Sequence, residues 1–455
     1  MTPLVGVTVD FFWLWYERTV STSRDDEGFL RLSGVRLADI AEDPRFGTPT
    51  YVYDLDGMDR EARELAAAFE GHPHLVAYAV KANSAAPIVR SFARAGLGAD
   101  VVSGGEVLFA LGAGVLPDGI VMSGVAKTDD EIDIALASGP NGILAIQVES
   151  AEEVGRVEAR ARAAGHVARV SLRINPGLDP SEIDTHANIA TGHDEAKFGV
   201  PLPRVAEALA RIEKSPSLSL SGLTCHVGSQ FVSTDAYEAG ARVLFALARA
   251  TLARGVAFDY VDTGGGFGID YGAGCPVRPA DFVKRARTLA KEHGVDHLRH
   301  LVEPGRSLVG AHGVLLTRVL QRKSDRDPST ARSDPRERRW LMIDAGMNDL
   351  MRPALYQSNH RAVPLGPTQE PGEDVRVVGP VCESSDDFGL HPLPTQPFVH
   401  LALLDAGAYG FSMASRYNGR PLPAEVFLRH GRIVAATERA PASGWANERL
   451  ALHET

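Results

Sequence analysis

The sequence predicts an α/β protein, a (β/α)8 barrel of the TIM type followed by a β-rich C-terminal domain. From about residue 75 to residue 305, short apolar runs alternate with amphipathic segments of helical spacing. Eight such runs occur, which is the number of strands that a barrel requires over roughly 250 residues. After residue 310, turns containing Pro and Gly separate the apolar runs, and regular helical segments are missing from the pattern.

The eight predicted strands are short apolar segments: Leu75–Val80, Gly98–Val102, Ile120–Ser123, Ile143–Val148, Val167–Ile174, Leu220–Val227, Ala257–Thr263 and Leu298–Glu303. Segments between them, such as Ala151–Ala164, Arg204–Ile212 and Tyr237–Arg254, have the spacing of amphipathic helices. An open, doubly wound sheet would show the same alternation. We favour the barrel because reactive side chains and a glycine run follow strand ends, where a barrel builds its active site.

The pattern divides the chain into three parts. Residues 1–54 form an N-terminal extension with strand character over Gly28–Asp54, and we expect these strands to pair with the C-terminal domain. Residues 55–310 form the barrel, and residues 311–455 form the β-rich domain. The predicted strands of that domain are Gly313–Leu320, Arg339–Ala345, Arg376–Val378, Phe398–Leu404 and Glu425–Arg429. The charged stretch Lys323–Arg339 is expected to be a solvated hairpin insertion.

The composition is that of a soluble globular protein, with 44% hydrophobic and 23% charged residues among 455. The net charge of −11 is spread along the chain without a basic block, so we expect no nucleic-acid partner. Cys225, Cys275 and Cys382 are too scattered for a disulfide framework, which indicates a cytoplasmic protein. Asp10 interrupts the apolar start and no basic segment precedes it, so neither a signal peptide nor a membrane association is expected.

Lys81 lies in the segment AYAVKAN, residues 77–83, directly after the first predicted strand. A lysine at this place would face the mouth of a barrel. Burial there favours the neutral amine, which can form a Schiff base with an aldehyde. For an isolated lysine, a surface position at a strand end is the more common explanation, so the neighbouring motifs must decide. Asp100, within the second predicted strand, is one of the candidate neighbours.

Two segments near the last predicted strands contain candidate binding groups. VDTGGGFGIDY, residues 261–271, has three consecutive glycines whose backbone N–H groups can close around a phosphate. LVEPGRSL, residues 301–308, places Glu303 where it can accept a hydrogen bond from a protonated pyridine nitrogen. Arg306 can bind a substrate carboxylate through its guanidinium group. Taken singly, a tight turn and a surface ion pair would also explain these segments.

Further candidates lie in four other segments. In LTCHVGSQ, residues 223–230, His226 could lie against a flat heteroaromatic ring and Ser229 could donate to a phosphate. A histidine that is hydrogen-bonded in the core is the ordinary alternative. The β-rich part adds Cys382 and Glu383 in GPVCESSDDFG, Arg352 and Tyr356 in DAGMNDLMRPALY, and Tyr409 in DAGAYG.

Ten segments, in order, resemble the diaminopimelate decarboxylase family, one of the alanine-racemase-like barrel enzymes that use pyridoxal phosphate. They are GTPTYVYD, YAVKAN, GADVVSGGE, KFG at 197–199, CHVGSQ, DTGGGFGIDY, EPGR, DAGMNDLMRPALY, GPVCES and DAGAYGFSMASRYNGRP. Each segment is weakly specific alone, but ten in register are highly specific. The 46-residue lead-in, the insertion at 323–339 and the sequence SSDDFG after Glu383 depart from the commonest family pattern. The last of these lies beside the substrate pocket and leaves the fine specificity open.

The resemblance implies a homodimer with shared active sites, with pyridoxal 5'-phosphate as the cofactor and no metal. It implies that Lys81 holds the cofactor as a Schiff base and that Cys382 of the partner subunit is the proton donor. The cofactor-binding residues would be Lys81, Asp100, His226, Ser229, Gly264, Gly265, Gly266, Glu303, Gly305, Arg306 and Tyr409. The substrate-binding residues would be Arg306, Arg352, Tyr356, Glu383 and Tyr409.

Two arginines and a carboxylate suit a substrate with a second amino-acid head, which meso-2,6-diaminopimelate has. We therefore expect decarboxylation of this substrate to L-lysine and carbon dioxide, the last step of lysine biosynthesis. The alternatives are a related decarboxylase of another amino acid and a non-catalytic regulatory protein that binds pyridoxal phosphate. A racemase on the same barrel is disfavoured, because an arginine usually meets the ring nitrogen there and Glu303 takes that place here. A substrate panel and carbon dioxide release would distinguish these functions.

Overall fold

The computed structural model describes residues 21–179, 181, 183, 185, 189–325, 338–367 and 372–451. The chain divides into two compact units. The barrel unit comprises Asp59–Ile269 and Cys275–Leu308. The β unit comprises the described parts of Met1–Met58, Asp270–Gly274 and Val309–Thr455. Residues 1–20 of the N-terminal extension and most of the charged insertion, residues 326–337, lie outside the described residues.

The strands are numbered in chain order. Those before the barrel are β1 Thr22–Arg24, β2 Leu30–Leu32, β3 Val35–Arg36 and β4 Thr50–Asp54. The barrel unit contains β5 His74–Ala79, β6 Gly98–Val101, β7 Ile120–Met122, β8 Ala145–Val148, β9 Ala168–Asn175, β10 Val200–Pro201, β11 Leu218–Cys225, β12 Tyr260–Asp262 and β13 Arg299–Val302. The strands that follow are β14 Gly313–Ser324, β15 Arg339–Ile343, β16 Ala362–Pro364, β17 Glu373–Val378, β18 Asp387–Leu393, β19 His400–Leu403, β20 Ala424–Arg429 and β21 Arg432–Ala436.

The α-helices are numbered in the same way. Those in or before the barrel are α1 Leu37–Glu42, α2 Leu55–Ala67, α3 Ala86–Arg94, α4 Gly104–Gly112, α5 Asp129–Ala137, α6 Ala151–Ala164, α7 Val205–Lys214, α8 Asp235–Ala253, α9 Pro279–Glu292 and α10 Arg306–Val309. Two more follow, α11 Arg352–Tyr356 and α12 Ala442–Leu450. No helix in the described ranges has both the length and the apolar character needed to cross a bilayer.

Eight parallel strands close into the predicted barrel. The strand order is β5-β6-β7-β8-β9-β11-β12-β13, and β13 pairs with β5 to close the ring. The two-residue strand β10 is an additional partner of β9. The closure confirms the barrel and excludes the open doubly wound sheet, because an open sheet would leave β5 and β13 unpaired with each other.

The helices that follow the strands begin and end at local sequence signals. Ser103, Thr128 and Ser150 each accept a hydrogen bond from the backbone N–H three residues later, so each caps the helix that begins after it. Helix α6 ends before Gly165, whose φ of 66° is a left-handed backbone conformation that favours glycine. These short connections place the carboxyl end of each strand next to the start of the following helix.

The interior of the barrel is layered along the strands. Its apolar cluster comes mainly from the first residues of the strands and includes Leu75, Ala77, Val121, Leu144, Ala145, Tyr260 and Leu301. Buried polar side chains come later along the same strands, at Asp100 of β6, Gln147 of β8 and Asp262 of β12. The carboxyl ends therefore carry the chemistry, while the amino ends carry the packing.

In the β unit, the long strand β14 organises the sheet. Its first half pairs with β4 and β19, and its second half pairs with β15. Strand β4 lies between β14 and β20, and all five of its residues are buried. The chain before the barrel therefore supplies a central strand of the sheet formed by the chain after it.

The β unit differs from the predicted pattern in several places. Part of Gly28–Asp54, expected to be strand, forms helix α1, where Leu37, Ile40 and Ala41 repeat at helical spacing and are buried. Strands β1–β3 form a small sheet of their own. The prediction that the C-terminal part has no regular helices is wrong for α11 and α12, and strands β16, β18 and β21 were not predicted. The flanks of the charged insertion, Ser324 and Arg339, are paired across β14 and β15.

Glu425 is a titratable group inside the sheet of the β unit. Its side chain is buried, and the Tyr53 hydroxyl donates to its Oε1 at 3.1 Å. Burial raises the pKa of Glu425 to about 7. Because the folded chain then holds the proton more tightly than the unfolded chain, this contribution to stability is present below the ordinary pKa of 4.5. It is lost as the pH rises towards 7.

We predict that Glu425→Gln weakens the pH dependence of folding stability. Glutamine keeps an acceptor oxygen for Tyr53 but does not titrate. As the pH rises from about 5 to about 8, the free energy of unfolding should fall less in the variant than in the wild type. Within the titration range, the two slopes should differ by up to about 1.4 kcal/mol for each pH unit. Urea unfolding at several pH values measures this difference. The exposed substitution Glu438→Gln is the control and should leave the slope unchanged. Equal slopes for Glu425→Gln and the wild type would contradict the assignment.

Candidate active site

Lys81 lies at the carboxyl end of β5, in the short helical turn Val80–Ala82. Its Nζ forms an ion pair with Oδ2 of Asp100, a fully buried residue of β6. Ser123 donates from its hydroxyl to the other oxygen of Asp100 at 2.5 Å. The Lys81 side chain is 38% exposed, so it is less buried than the sequence predicted. The strand end opens to solvent there, and the Asp100 carboxylate holds the amine in place.

Asp262 and Glu303 form a buried carboxyl pair at the ends of β12 and β13. The side-chain Nε2 of Gln147 on β8 donates to Glu303 Oε1 at 2.6 Å and to Asp262 Oδ2 at 3.3 Å. The backbone N–H of Gly264 donates to the other oxygen of Asp262 at 2.8 Å. Burial raises the pKa of Asp262 to about 6 and raises the pKa of Glu303 well above its usual value, and the Asp262 carboxylate raises the pKa of Glu303 further. Both carboxyl groups therefore hold their protons more tightly than carboxyl groups in water do.

His226 follows β11 and is held as a neutral ring. The backbone N–H of Gly265 donates to its Nδ1 at 3.1 Å, so the ring proton lies on Nε2. Burial lowers the pKa of His226 well below its usual value, and the charges of Arg173 and Lys81 lower it further. A neutral, flat imidazole can pack against a heteroaromatic ring without adding charge to it.

The glycine run after β12 packs too closely for any side chain. A Cβ on Gly265 would lie 2.0 Å from the carbonyl oxygen of Glu303, and one on Gly266 would lie 2.3 Å from that of Gly228. Gly266 also has a φ of 90°. Because these residues have no side chains, the backbone N–H groups of the loop are uncovered, as a phosphate site requires.

A second set of polar groups follows β13. The guanidinium of Arg306 donates to the Ser229 hydroxyl at 3.1 Å. The hydroxyl of Ser307 is buried and has no hydrogen-bond partner within the described part of the chain. Gly305 leaves no room for a side chain, since its Cβ would lie 2.9 Å from that of Ala82. An oxygen-rich ligand would satisfy the hydroxyl that lacks a partner.

Arg173, at the end of β9, was not predicted from the sequence. It donates to Glu149 at 3.0 Å, and its guanidinium lies 4.9 Å from the ring of Phe198. The backbone N–H of Gly199 donates to the other oxygen of Glu149 at 2.8 Å. The KFG segment is thus fixed to the barrel by one buried ion pair. The rule that selects strand ends would have identified Arg173, but its partners lie in other segments of the chain and have no local signal.

In the β unit, Arg352 is held in a single orientation. The buried His360 donates from Nδ1 to the carbonyl oxygen of Leu404 at 2.9 Å, so its Nε2 accepts from Arg352 at 2.8 Å. The guanidinium also lies 4.7 Å from the centre of the Tyr271 ring. Neither His360 nor Tyr271 was predicted to take part in the site.

Cys382 and Glu383 are exposed in the β unit and are held by the short helical turn Tyr417–Gly419. The backbone N–H of Cys382 donates to Oδ1 of Asn418 at 3.2 Å. The Tyr417 hydroxyl donates to Oε1 of Glu383 at 2.7 Å. Tyr417 and Asn418 belong to the segment RYNGRP, which carried part of the family resemblance but was assigned no role.

The predicted site residues therefore fall into two groups. The barrel unit gathers one group at the carboxyl ends of its strands: Lys81, Asp100, His226, Ser229, Gly264, Gly265, Gly266, Glu303, Gly305 and Arg306. The β unit holds the other group: Arg352, Tyr356, Cys382, Glu383 and Tyr409. Tyr409 has a φ of 55°, a conformation that is uncommon for a residue with a side chain and that clusters at functional sites.

Comparison with known proteins agrees with this geometry. Residues 55–310 match the family described as pyridoxal-dependent decarboxylase, pyridoxal binding domain. The diaminopimelate decarboxylase of Vibrio cholerae is 36% identical over 425 residues, which cover 93% of this chain and 97% of that protein. That of Pseudomonas aeruginosa is 39% identical over 406 residues, covering 89% and 92%. The crystal structure of diaminopimelate decarboxylase from Helicobacter pylori complexed with L-lysine superimposes with a TM-score of 0.81 at 36% identity, covering 89% of this chain and 98% of that one. The chain therefore belongs to the diaminopimelate decarboxylase family of pyridoxal-dependent decarboxylases.

Proposed function

We propose that this protein decarboxylates meso-2,6-diaminopimelate to L-lysine and carbon dioxide, the last step of lysine biosynthesis, with pyridoxal 5'-phosphate as its cofactor. The observation that carries the proposal is the arrangement at the barrel mouth. An accessible amine, Lys81, shares the carboxyl ends of the strands with a buried acid, Glu303, whose pKa is raised well above its usual value. Residues 55–310 are proposed to be the cofactor-binding domain.

The residues present fit pyridoxal phosphate. The bare loop and the buried Ser307 hydroxyl suit a phosphate, and the neutral ring of His226 suits an aromatic neighbour. Lys81 would hold the cofactor through its amine, and Asp100 would orient that amine. The phosphate would be held by Ser229, Gly264, Gly265, Gly266 and Gly305, and His226 and Tyr409 would lie beside the cofactor.

When bound, pyridoxal phosphate supplies a pyridine ring that takes up the electron pair left when the carboxylate departs. Glu303 would accept a hydrogen bond from the protonated ring nitrogen, and its raised pKa makes its carboxylate a stronger acceptor. Cys382 would then donate a proton to the substrate Cα, since a thiol can act as a general acid near neutral pH.

The substrate side chain would be recognised at its distal amino-acid head. Arg306, Arg352 and Tyr356 are proposed to bind the distal carboxylate, and Glu383 is proposed to bind the distal ammonium. Arg352 is already oriented by His360, so little side-chain entropy is lost when it pairs with a carboxylate. Ornithine and arginine lack the distal carboxylate that these residues are proposed to bind.

We further propose a homodimer in the cytoplasm, with Cys382 and Glu383 serving the barrel of the partner subunit. The exposure of both side chains supports this role, because each is accessible on the surface of the β unit. Among the described residues all three cysteines are free thiols, which suits a reducing compartment.

Purified protein supplied with pyridoxal phosphate and meso-diaminopimelate should release L-lysine and carbon dioxide in equal amounts. Lys81→Ala should lower turnover by about a thousandfold or more, because it removes the group that would bond to the cofactor. The exposed lysine variant Lys214→Ala is the matched control and should retain wild-type turnover. Product release from ornithine or arginine, with meso-diaminopimelate left intact, would show that the substrate assignment is wrong.

Shared active sites predict that two inactive variants complement each other. Lys81→Ala and Cys382→Ala should each show strongly reduced activity alone. Subunit exchange at equal amounts makes half of the dimers hybrid, and each hybrid has one intact site, so about a quarter of the wild-type activity should return.

Mixing Lys81→Ala with Glu303→Ala is the control, since both residues lie in the barrel unit and no intact site can form. Failure of the Lys81→Ala and Cys382→Ala mixture to exceed this control would contradict a site shared between subunits.

A further inference from the structure

Gln147 contacts both members of the buried carboxyl pair. It is the third residue of β8 and is fully buried. Its Nε2 lies 2.6 Å from Oε1 of Glu303 and 3.3 Å from Oδ2 of Asp262. Both N–H groups of one amide are therefore directed at carboxyl oxygens that come from two other strand ends.

The orientation of this amide follows from the charges around it. The side-chain oxygen of Gln147 is buried and has no hydrogen-bond partner in the part of the chain that the structure describes. Rotating the amide by half a turn would place that oxygen 2.6 Å from Oε1 of Glu303, where two acceptors would repel each other. The amide thus gives up a hydrogen bond to its oxygen in order to donate twice to the carboxyl pair.

The backbone of Gln147 is fixed independently of its side chain. Strand β8 pairs with β9, and Gln147 lies opposite Ser171. On the other side, the buried Lys127 donates from Nζ to the Gln147 carbonyl oxygen at 2.6 Å and to Glu153 Oε1 at 3.2 Å. The amide therefore cannot move far from the carboxyl pair.

The charged groups that face this pair act in opposite directions. Asp100 of β6 raises the pKa of both Asp262 and Glu303, while Lys81 lowers that of Glu303 and Arg173 lowers that of Asp262. Burial is the largest influence and favours the neutral acids. A neutral donor that binds the ionised form more strongly than the neutral acid offsets part of this cost without adding a charge.

Resting on the proposed function, we propose that Gln147 is a positioning residue for the cofactor. Its amide binds one oxygen of Glu303 and ties that carboxylate to Asp262, which leaves the other oxygen of Glu303 to meet the ring nitrogen as a charged acceptor. Gln147 itself does not touch the reacting atoms. It acts through Glu303, so its loss should weaken cofactor binding in a way that depends on pH.

The test measures the dissociation constant of pyridoxal phosphate from the apoprotein, followed by visible absorbance across a range of pH. Gln147→Leu should raise this constant about tenfold near neutral pH, the effect of losing one hydrogen bond to a charged group. Gln147→Glu should raise it further, because a third carboxylate joins the pair. Its ratio to the wild-type constant should shrink as the pH falls and that carboxylate gains a proton. Gln147→Asn, with a shorter amide, should lie between the wild type and Gln147→Leu.

Thr224→Val is the matched control. Thr224 is fully buried in the same barrel and donates only weakly to Ser171, with 3.4 Å between their hydroxyl oxygens. This variant should bind pyridoxal phosphate as the wild type does. If Gln147→Leu fails to fold, Gln147→Asn and Gln147→Glu decide the question.

Three outcomes separate the two proposals. The role of Gln147 is supported if binding weakens from the wild type through Gln147→Asn and Gln147→Leu to Gln147→Glu, and if the effect of Gln147→Glu shrinks as the pH falls. If the wild type binds the cofactor and releases lysine while the Gln147 variants bind as tightly, or are weakened equally at every pH, the role of Gln147 is refuted and the proposed function stands. If the wild type does not bind pyridoxal phosphate, the proposed function is refuted and this inference falls with it.

Discussion

The burial of three carboxyl groups at one end of the barrel is the constraint on which the site depends. Asp100, Asp262 and Glu303 come from three strands and converge where solvent cannot fully stabilise their charges. Such a cluster is costly unless donors, cations or protons compensate it. The Lys81 amine, the Ser123 hydroxyl, the Gly264 N–H and the Gln147 amide each supply part of that compensation. The remaining imbalance appears as the raised pKa values of Asp262 and Glu303.

The same constraint explains why the neighbouring segments are so restricted. The glycine run must pass within contact distance of the Glu303 backbone, and Gly264 must direct its N–H at Asp262. His226 stays neutral because burial lowers its pKa and the charges of Arg173 and Lys81 lower it further. In the β unit the arrangement is the opposite: Cys382 and Glu383 are exposed and are oriented from one side by Tyr417 and Asn418. A site assembled between subunits would need groups that are accessible in this way.

The sequence predicted the strand ends and the residues with a local motif, such as Lys81, Asp100 and Glu303, because strand periodicity and position suffice to find them. It did not predict Gln147, whose importance comes from Glu303, 156 residues later in the chain. Arg173 and His360 were missed for the same reason, since their partners Glu149 and Leu404 lie 24 and 44 residues away in the chain. The expected burial of Lys81 was wrong because the sequence does not show how far the barrel mouth opens. Helix α1 was missed because its six residues lie within a segment of strand composition.

The account depends on Lys81 being the residue that bonds to the cofactor. Borohydride reduction of the protein loaded with pyridoxal phosphate, followed by proteolysis and peptide mass spectrometry, tests this directly. The account predicts one modified peptide, containing AYAVKAN, with the cofactor mass on Lys81. A modification on Lys127 or on a surface lysine, with Lys81 left unmodified, would contradict it.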